Sequence, residues 1–196
     1  MPSPARPALS RSVVLALDGR SGAGKTALAR RLSAEMALRD RTCTVVHLDD
    51  LYPGWHGLAA ALPRLCAEVL EPLRAGSTGR FRSWDWLAQR PGPVREVPPT
   101  PVVLVEGVGA GATPCPGLVD LVVWLEVDAR VRRRRALDRD GMTFAPHWEE
   151  WAAQEDQIFA RRGGPARADV VLEDVDPGTL SALAARVDGL LRPPRA

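Results

Sequence analysis

The sequence predicts a doubly wound α/β domain, and three observations predict it. Several short runs are apolar without polar alternation, helical stretches separate them, and a glycine-rich turn joins the first run to the first helix. A strand apolar at every position is buried on both faces, as happens in a parallel sheet covered by helices. A length of 196 residues suits one domain with a sizeable core. Residues 1–11, rich in Pro, Ser and Ala, read as a flexible leader, and 12–196 as the single domain.

The elements follow in order. SVVLALDG gives a first strand that stops at Asp18-Gly19, and from Lys25 the spacing of Leu28, Leu32 and Met36 describes a helix with one apolar face. TCTVVHLDD is a second strand ending in two carboxylates, VVLVEG at 102–107 a third ending in one, LVDLVVWLEVD a fourth, and ADVVLED a fifth. TLSALAARVDGLL closes the chain as an amphipathic helix. The segment 51–101 is a long insert with a helix over 57–75, followed by Pro- and Gly-rich residues that read as loops. FAPHWEEWAAQEDQIFARR predicts a further helix, with Trp148, Trp151, Glu155 and Ile158 partly facing the core.

Composition narrows the function classes. With 45% hydrophobic and 26% charged residues the chain is an ordinary globular one, and a net charge of +2 argues against an extended nucleic-acid surface. No run approaches membrane-spanning length, and Val13–Leu17 is too short for a signal peptide core, so a cytoplasmic location is expected. Cys43, Cys66 and Cys115 are odd in number and far apart, which predicts reduced thiols. Neither a nucleic-acid nor a membrane partner is expected, and a homodimer stays open.

Lys25 is the only lysine in the chain. It stands in Gly19-x-x-x-x-Gly24-Lys25-Thr26, the Walker A pattern, in the required strand-to-helix context. Main-chain amides of Gly19, Ser21, Gly22, Ala23 and Gly24 can close around phosphate oxygens, helped by the positive end of the following helix. Lys25 then reaches the β- and γ-phosphates of ATP and Thr26 offers its hydroxyl to Mg2+. Arginine's planar fork does not replace a compact ammonium there. Ligands of open parallel sheets gather beyond the carboxyl ends of the strands, which puts Asp49, Asp50 and Glu106 near those phosphates. Glu106 reads as the magnesium-holding acid, and Asp49 or Asp50 as the base that takes a proton from an attacking hydroxyl, with Asp49 also near the metal.

GRSGAGKT, DDLY, WDW followed by Arg90, VVLVEGV and RVRRRRALDRD occur in the order and at about the intervals of the uridine kinase family of P-loop kinases, which the chain resembles as a diverged member. That family is related to pantothenate kinase and phosphoribulokinase. The resemblance covers most of 13–175. It implies a P-loop kinase fold, a five-stranded parallel sheet with helices on both faces and a short arginine-rich lid at 128–145. It implies that Asp49 is the catalytic base, that Glu106 binds magnesium, and that Asp85 contacts the acceptor's sugar hydroxyls. Tyr52 and Arg90 match neighbouring acceptor-side positions, beside Asp50. Arg132, Arg135 and Arg139, spaced to share one helical face, resemble the lid arginines that close over the nucleotide, with Arg135 acting in the transition state. Arg133 and Arg134 point elsewhere. The lid is shorter than in typical uridine kinases, since Gly141 follows Asp140 at once.

Trp55, with His56, Trp84 and Trp86, makes the acceptor side rich in rings that can stack a ligand or simply pack. His147 reads as structural or exposed. The expected activity is transfer of the γ-phosphate of ATP to a small-molecule hydroxyl, a uridine- or cytidine-like nucleoside first, with an antibiotic, natural product or vitamin precursor as alternatives. A regulatory GTPase is disfavoured because the chain has no asparagine to build an Asn-Lys-x-Asp guanine-reading element. A nucleotide-binding module without catalysis is the remaining alternative, and retention of Asp49 and Glu106 argues against it.

Overall fold

Five apolar runs form one parallel sheet in the computed structural model, which describes residues 11–115 and 117–192. Nearly all of the predicted leader, residues 1–10, lies outside the described residues. In chain order the elements are β1 Val13–Asp18, α1 Lys25–Ala37, β2 Cys43–His47, α2 Leu58–Arg64, α3 Glu71–Arg74, β3 Gly79–Asp85, β4 Arg90–Val97, β5 Val102–Glu106, β6 Leu121–Leu125, α4 Ala129–Asp140, α5 Trp148–Arg161, β7 Val170–Leu172 and α6 Pro177–Leu191. The sheet order is β2-β5-β1-β6-β7, with every pairing parallel.

The period of two along β1 divides the core. Val13, Leu15 and Leu17 pack with Leu28, Leu32 and Met36 of α1 and with Leu183 and Val187 of α6. Val14 and Ala16 face the other way, into a cluster with Leu58, Leu62, Leu65, Trp151 and Ile158. Both faces of β1 and β5 are therefore buried, which is why their sequences show no polar alternation. Asp176 starts α6 by accepting the Thr179 amide at 2.7 Å, with Pro177 at the first helical position, where a missing N–H costs nothing.

The predicted helix over 57–75 is present but not uniform. Pro63 lies inside α2, and the chain widens into a π turn over Leu65–Leu70 before α3. The expectation of loops after it is overturned. Residues 79–97 form an antiparallel hairpin, β3–β4, in which Phe81 and Ser83 turn inward and Arg80 and Arg82 outward. Pro91 and Pro93 do not prevent this, because β4 is an edge strand with amides free of a ladder on one side.

The expectation of three reduced thiols is also overturned. Cys66 in the π turn and Cys115 after β5 form a disulfide, with their Cα atoms 6.0 Å apart. Sequence spacing did not reveal the pair, because 49 positions separate the two cysteines and only the packing of the insert against the sheet brings them together. Cys43 stays free, and burial pushes its thiol up to about 11. No helix among the described residues is long and apolar enough to cross a membrane. Protein denatured without reductant should release one thiol per chain in a colorimetric titration, and three after reduction. Three before reduction would exclude the bridge.

Candidate functional site

The loop between β1 and α1 turns around three glycines with positive φ, Gly19, Gly22 and Gly24. Gly22 has a second reason to be glycine, because a Cβ there would lie 2.1 Å from the main-chain oxygen of Arg132. That close approach seats α4 directly on the loop. Lys25, first residue of α1 and almost buried, donates from Nζ to the carbonyls of Gly19 (2.8 Å) and Arg20 (3.1 Å), which folds its stem back over the loop. Two of its three donors are thus engaged, and it lines the cleft beyond the strand ends.

Asp18, the last residue of β1, anchors this loop although it is fully buried. Its Oδ1 accepts the amides of Gly19 (2.7 Å) and Gly109 (2.8 Å), and its Oδ2 accepts that of Gly111 (2.9 Å). Burial pushes its carboxyl up to about 6, against the pull of those donors and of Lys25. Glu155 of α5, equally buried, accepts the Ser21 amide at 2.8 Å and lies 3.5 Å from the Arg20 guanidinium. The carbonyl of that same Ser21 accepts from Arg132 Nη1 at 3.2 Å. Loss of water lowers the Arg132 guanidinium from its ordinary value, an effect that the Glu155 charge opposes. One peptide unit of the loop is thereby gripped by α5 and α4. Sequence reasoning assigned Glu155 to the core and gave Asp18 no site role; a carboxylate on an otherwise apolar face was the available signal for Glu155.

At the ends of β2 and β5 a second cluster forms. Glu106, nearly buried, receives the Thr26 hydroxyl at 3.1 Å and sits 2.6 Å from His47 Nδ1. The hydrogen bond to Glu106 raises His47 above its ordinary value, burial opposes it, and the charges of Glu106, Asp50 and Asp49 add to the rise. His47 was missed in the sequence, although it stands two residues before Asp49 at a strand's carboxyl end. Asp49 follows in a short 3₁₀ turn and lines the cleft. Its carboxyl is raised by the protein that surrounds it, though solvent reaches it through the cleft mouth, and by Glu106, with Lys25, Arg139 and His47 opposing. Asp50 also lines the cleft and pairs with Arg95 at 3.4 Å.

Thr26 and Glu106 supply adjacent hard oxygens, which suit Mg2+. Among the described residues no three His, Cys, Asp or Glu side chains converge into a metal cage. The donor set therefore fits an ion that takes its remaining ligands from phosphate oxygens and water, as magnesium does.

The lid arginines separate in role. Arg135 and Arg139 line the cleft, Arg139 held by both oxygens of Asp140 at 2.8 and 2.6 Å, while Arg132 holds Ser21 and Val127 carbonyls. Arg133 and Arg134 are exposed. The cleft, about 930 Å³, continues past Asp49 into an aromatic half containing Tyr52, Trp55, Trp86, Phe144 and Trp151. Tyr52 is buried with its hydroxyl on the Val108 carbonyl at 2.9 Å, so it presents its ring. Trp55 already stacks near-parallel to Phe144 and His147, with centroids 5.4 and 4.3 Å away.

Two expectations are corrected here. Asp85 and Arg90 face each other near the hairpin tip and are absent from the cleft lining. Asp85 Oδ1 instead accepts the Leu87 and Ala88 amides at 3.1 and 2.9 Å, as an acidic residue opening a turn commonly does. Their neighbour Trp86 enters the cleft in their place, its Nε1 on the Asp49 carbonyl at 2.8 Å.

A smaller recess of about 220 Å³ lies across the loop, walled by Ala23, Ala27, Leu28, Val127 and Leu172, with Arg135 shared between the two spaces.

No family model matches the chain, and no curated protein does. Solved structures do. A protein provisionally named uridine kinase from Bacillus stearothermophilus superposes with a TM-score of 0.61 at 22% identity, covering 84% of this chain and 90% of its own. One provisionally named fructose transport system kinase, from Silicibacter sp. TM1040, gives 0.56 at 20% identity over 87% and 92%. Shikimate kinase from Bacteroides thetaiotaomicron gives 0.51 at 18% over 91% and 98%. The fold is that of the P-loop kinases. The five-stranded parallel sheet and its helices are the shared part.

Asp18→Asn replaces one acceptor oxygen by an amide that cannot accept, and should cost about 1–3 kcal/mol in urea denaturation. The carboxyl lies near 3.8 in an unfolded chain and about 6 here, so its share of stability is complete below 3.8 and declines as pH rises through about 6. The stability gap between wild type and variant should therefore narrow between pH 4 and pH 7.

Proposed function

We propose that the chain is an ATP-dependent kinase that phosphorylates a hydroxyl of a small molecule. The observation that carries this reading is that Lys25, Thr26 and the glycine loop open into the same cleft as Asp49 and Glu106. The amides of Gly19, Ser21 and Ala23, expected to hold phosphate, are taken by Asp18, Glu155 and the Arg20 carbonyl, so a triphosphate would lie on those of Gly22 and Gly24 with its last phosphate toward Asp49, and the recess beside Ala27 and Leu172 offers room for the adenine ring. Such an enzyme works in the cytoplasm, where ATP is supplied.

Each residue's part follows from its place. Asp49 accepts the proton of the acceptor hydroxyl as its oxygen bonds to the γ-phosphorus, and the bond from that phosphorus to the β-bridging oxygen breaks, leaving its electron pair on ADP. A carboxyl held above its ordinary value is a better proton acceptor than a free aspartate. Lys25 neutralises the β- and γ-phosphate oxygens, while Arg135 and Arg139 face the charge that spreads over the transferring group. Thr26 and Glu106 would hold Mg2+, which would supply positive charge to neutralise the phosphate oxygens. His47 keeps Glu106 oriented. A nucleoside is the acceptor that the sequence resemblance implies.

Lys25→Ala should weaken ATP binding about tenfold or more, measured by calorimetry, since it removes a charge-assisted contact. Asp49→Asn should leave ATP affinity near wild type and lower kcat about 10²- to 10⁴-fold in a coupled ADP assay. In the wild type the acid limb of kcat/KM should lie above the ordinary aspartate range, because the base loses its function on protonation and its carboxyl is raised.

A further inference from the structure

We propose that the acceptor is a hydroxyl-poor aromatic alcohol and not a sugar or a polyol, an inference that rests on the kinase reading of the cleft. Beyond Asp49 the walls are ring faces, contributed by Tyr52 and Trp55 after β2, Trp86 at the hairpin tip, and Phe144 and Trp151 around the start of α5. Three separate parts of the chain thus converge to make one ring-walled pocket next to the Asp49 carboxylate.

The polar groups of that pocket are mostly committed within the protein. The Tyr52 hydroxyl donates to Val108, the Trp86 Nε1 to the Asp49 carbonyl, and Gln154, behind Trp55, to the Trp55 carbonyl at 2.7 Å. His47 Nδ1 is taken by Glu106, and Asp50 Oδ2 lies 3.4 Å from Arg95 Nε. The groups left over are the Asp49 carboxylate, the second Asp50 oxygen and His47 Nε2 on the loop side, and the exposed Thr143 at the lid edge. A sugar carries hydroxyls all round its ring, each of which loses water on entry, and the aromatic faces beyond these groups give those on its far side no replacement partner. The residue whose resemblance implied sugar contact, Asp85, spends its carboxylate on the hairpin turn.

An alcohol with one hydroxyl at Asp49 and a flat apolar body suits what remains. Its ring would meet indole and phenyl faces at little entropic cost to either side, since those faces are already packed against each other. The rim continues the pattern: Leu87, next to Trp86, and Met142, next to Thr143, are 97% and 85% exposed, the two most exposed large apolar side chains described.

The test measures binding and turnover separately. With Mg2+ and a non-hydrolysable ATP analogue present, calorimetry is run with benzyl alcohol, 2-phenylethanol and 3-(hydroxymethyl)pyridine against uridine and fructose. ADP release is then measured with each alcohol and ATP. The expected result is at least one aromatic alcohol binding tenfold tighter than uridine and fructose and stimulating ADP release. Trp86→Ala should lower that affinity about tenfold while ATP-analogue affinity stays unchanged, and Phe144→Ala should do the same if the hairpin of the first variant is disturbed. Tighter binding of uridine or fructose, or no binding of any aromatic probe, overturns the inference, and ADP release with the sugar would leave the kinase reading intact. Tight aromatic binding without ADP release supports the pocket assignment and counts against the kinase reading instead.

Discussion

At the end of the central strand, a buried carboxylate must be matched by donors or the strand cannot end there. Asp18 meets that constraint with the amides of Gly19, Gly109 and Gly111, two of them from the loop after β5. A buried anion left unmatched would be strongly destabilising, so the two loops are obliged to come together around it. The consequence reaches the site: the same contact that starts the glycine loop at Gly19 also fixes the segment following Glu106. Cleft geometry is thus tied to the most buried part of the sheet.

A similar economy operates at Ser21, whose amide goes to Glu155 and whose carbonyl goes to Arg132. The partners come from α5 and α4, so the elements that form the far wall of the cleft are hydrogen-bonded to the loop itself. Glu155 also supplies countercharge where two guanidiniums, Arg20 and Arg132, approach a site suited to anions. The arginines of α4 divide accordingly. Arg132 serves the loop, Arg135 and Arg139 face the cleft, and Arg133 and Arg134 remain in solvent.

Beyond Asp49 the cleft changes character within a few residues. The half lined by the glycine loop is made of amides and cations, where a charged group gains from a low-dielectric surround. The other half is made of rings packed on rings, including the edge-on pair of Tyr52 and Trp151 at 5.0 Å. Lengthening of the insert into a hairpin is what delivers Trp86 to this wall, and the disulfide between Cys66 and Cys115 links the insert to the loop that Asp18 holds.

Local sequence alone determined the parallel sheet, the helices that flank it and the phosphate loop. These depend on near-neighbour patterns: apolar runs for strands buried on both faces, spacing of Leu28, Leu32 and Met36 for α1, and Gly24-Lys25-Thr26 at a strand-to-helix junction. The positions of Asp49 and Glu106 at strand ends were legible for the same reason. Only tertiary structure decided the rest. The hairpin hid behind prolines that an edge strand tolerates, and the partnership of Cys66 with Cys115 spans 49 positions. His47, Glu155 and Asp18 acquire their roles from partners far away in the chain, and Asp85 lost its expected one to a turn two residues on. Side-chain chemistry names what a residue can do, but which partner it meets is set by packing across the sheet, and no local pattern encodes that.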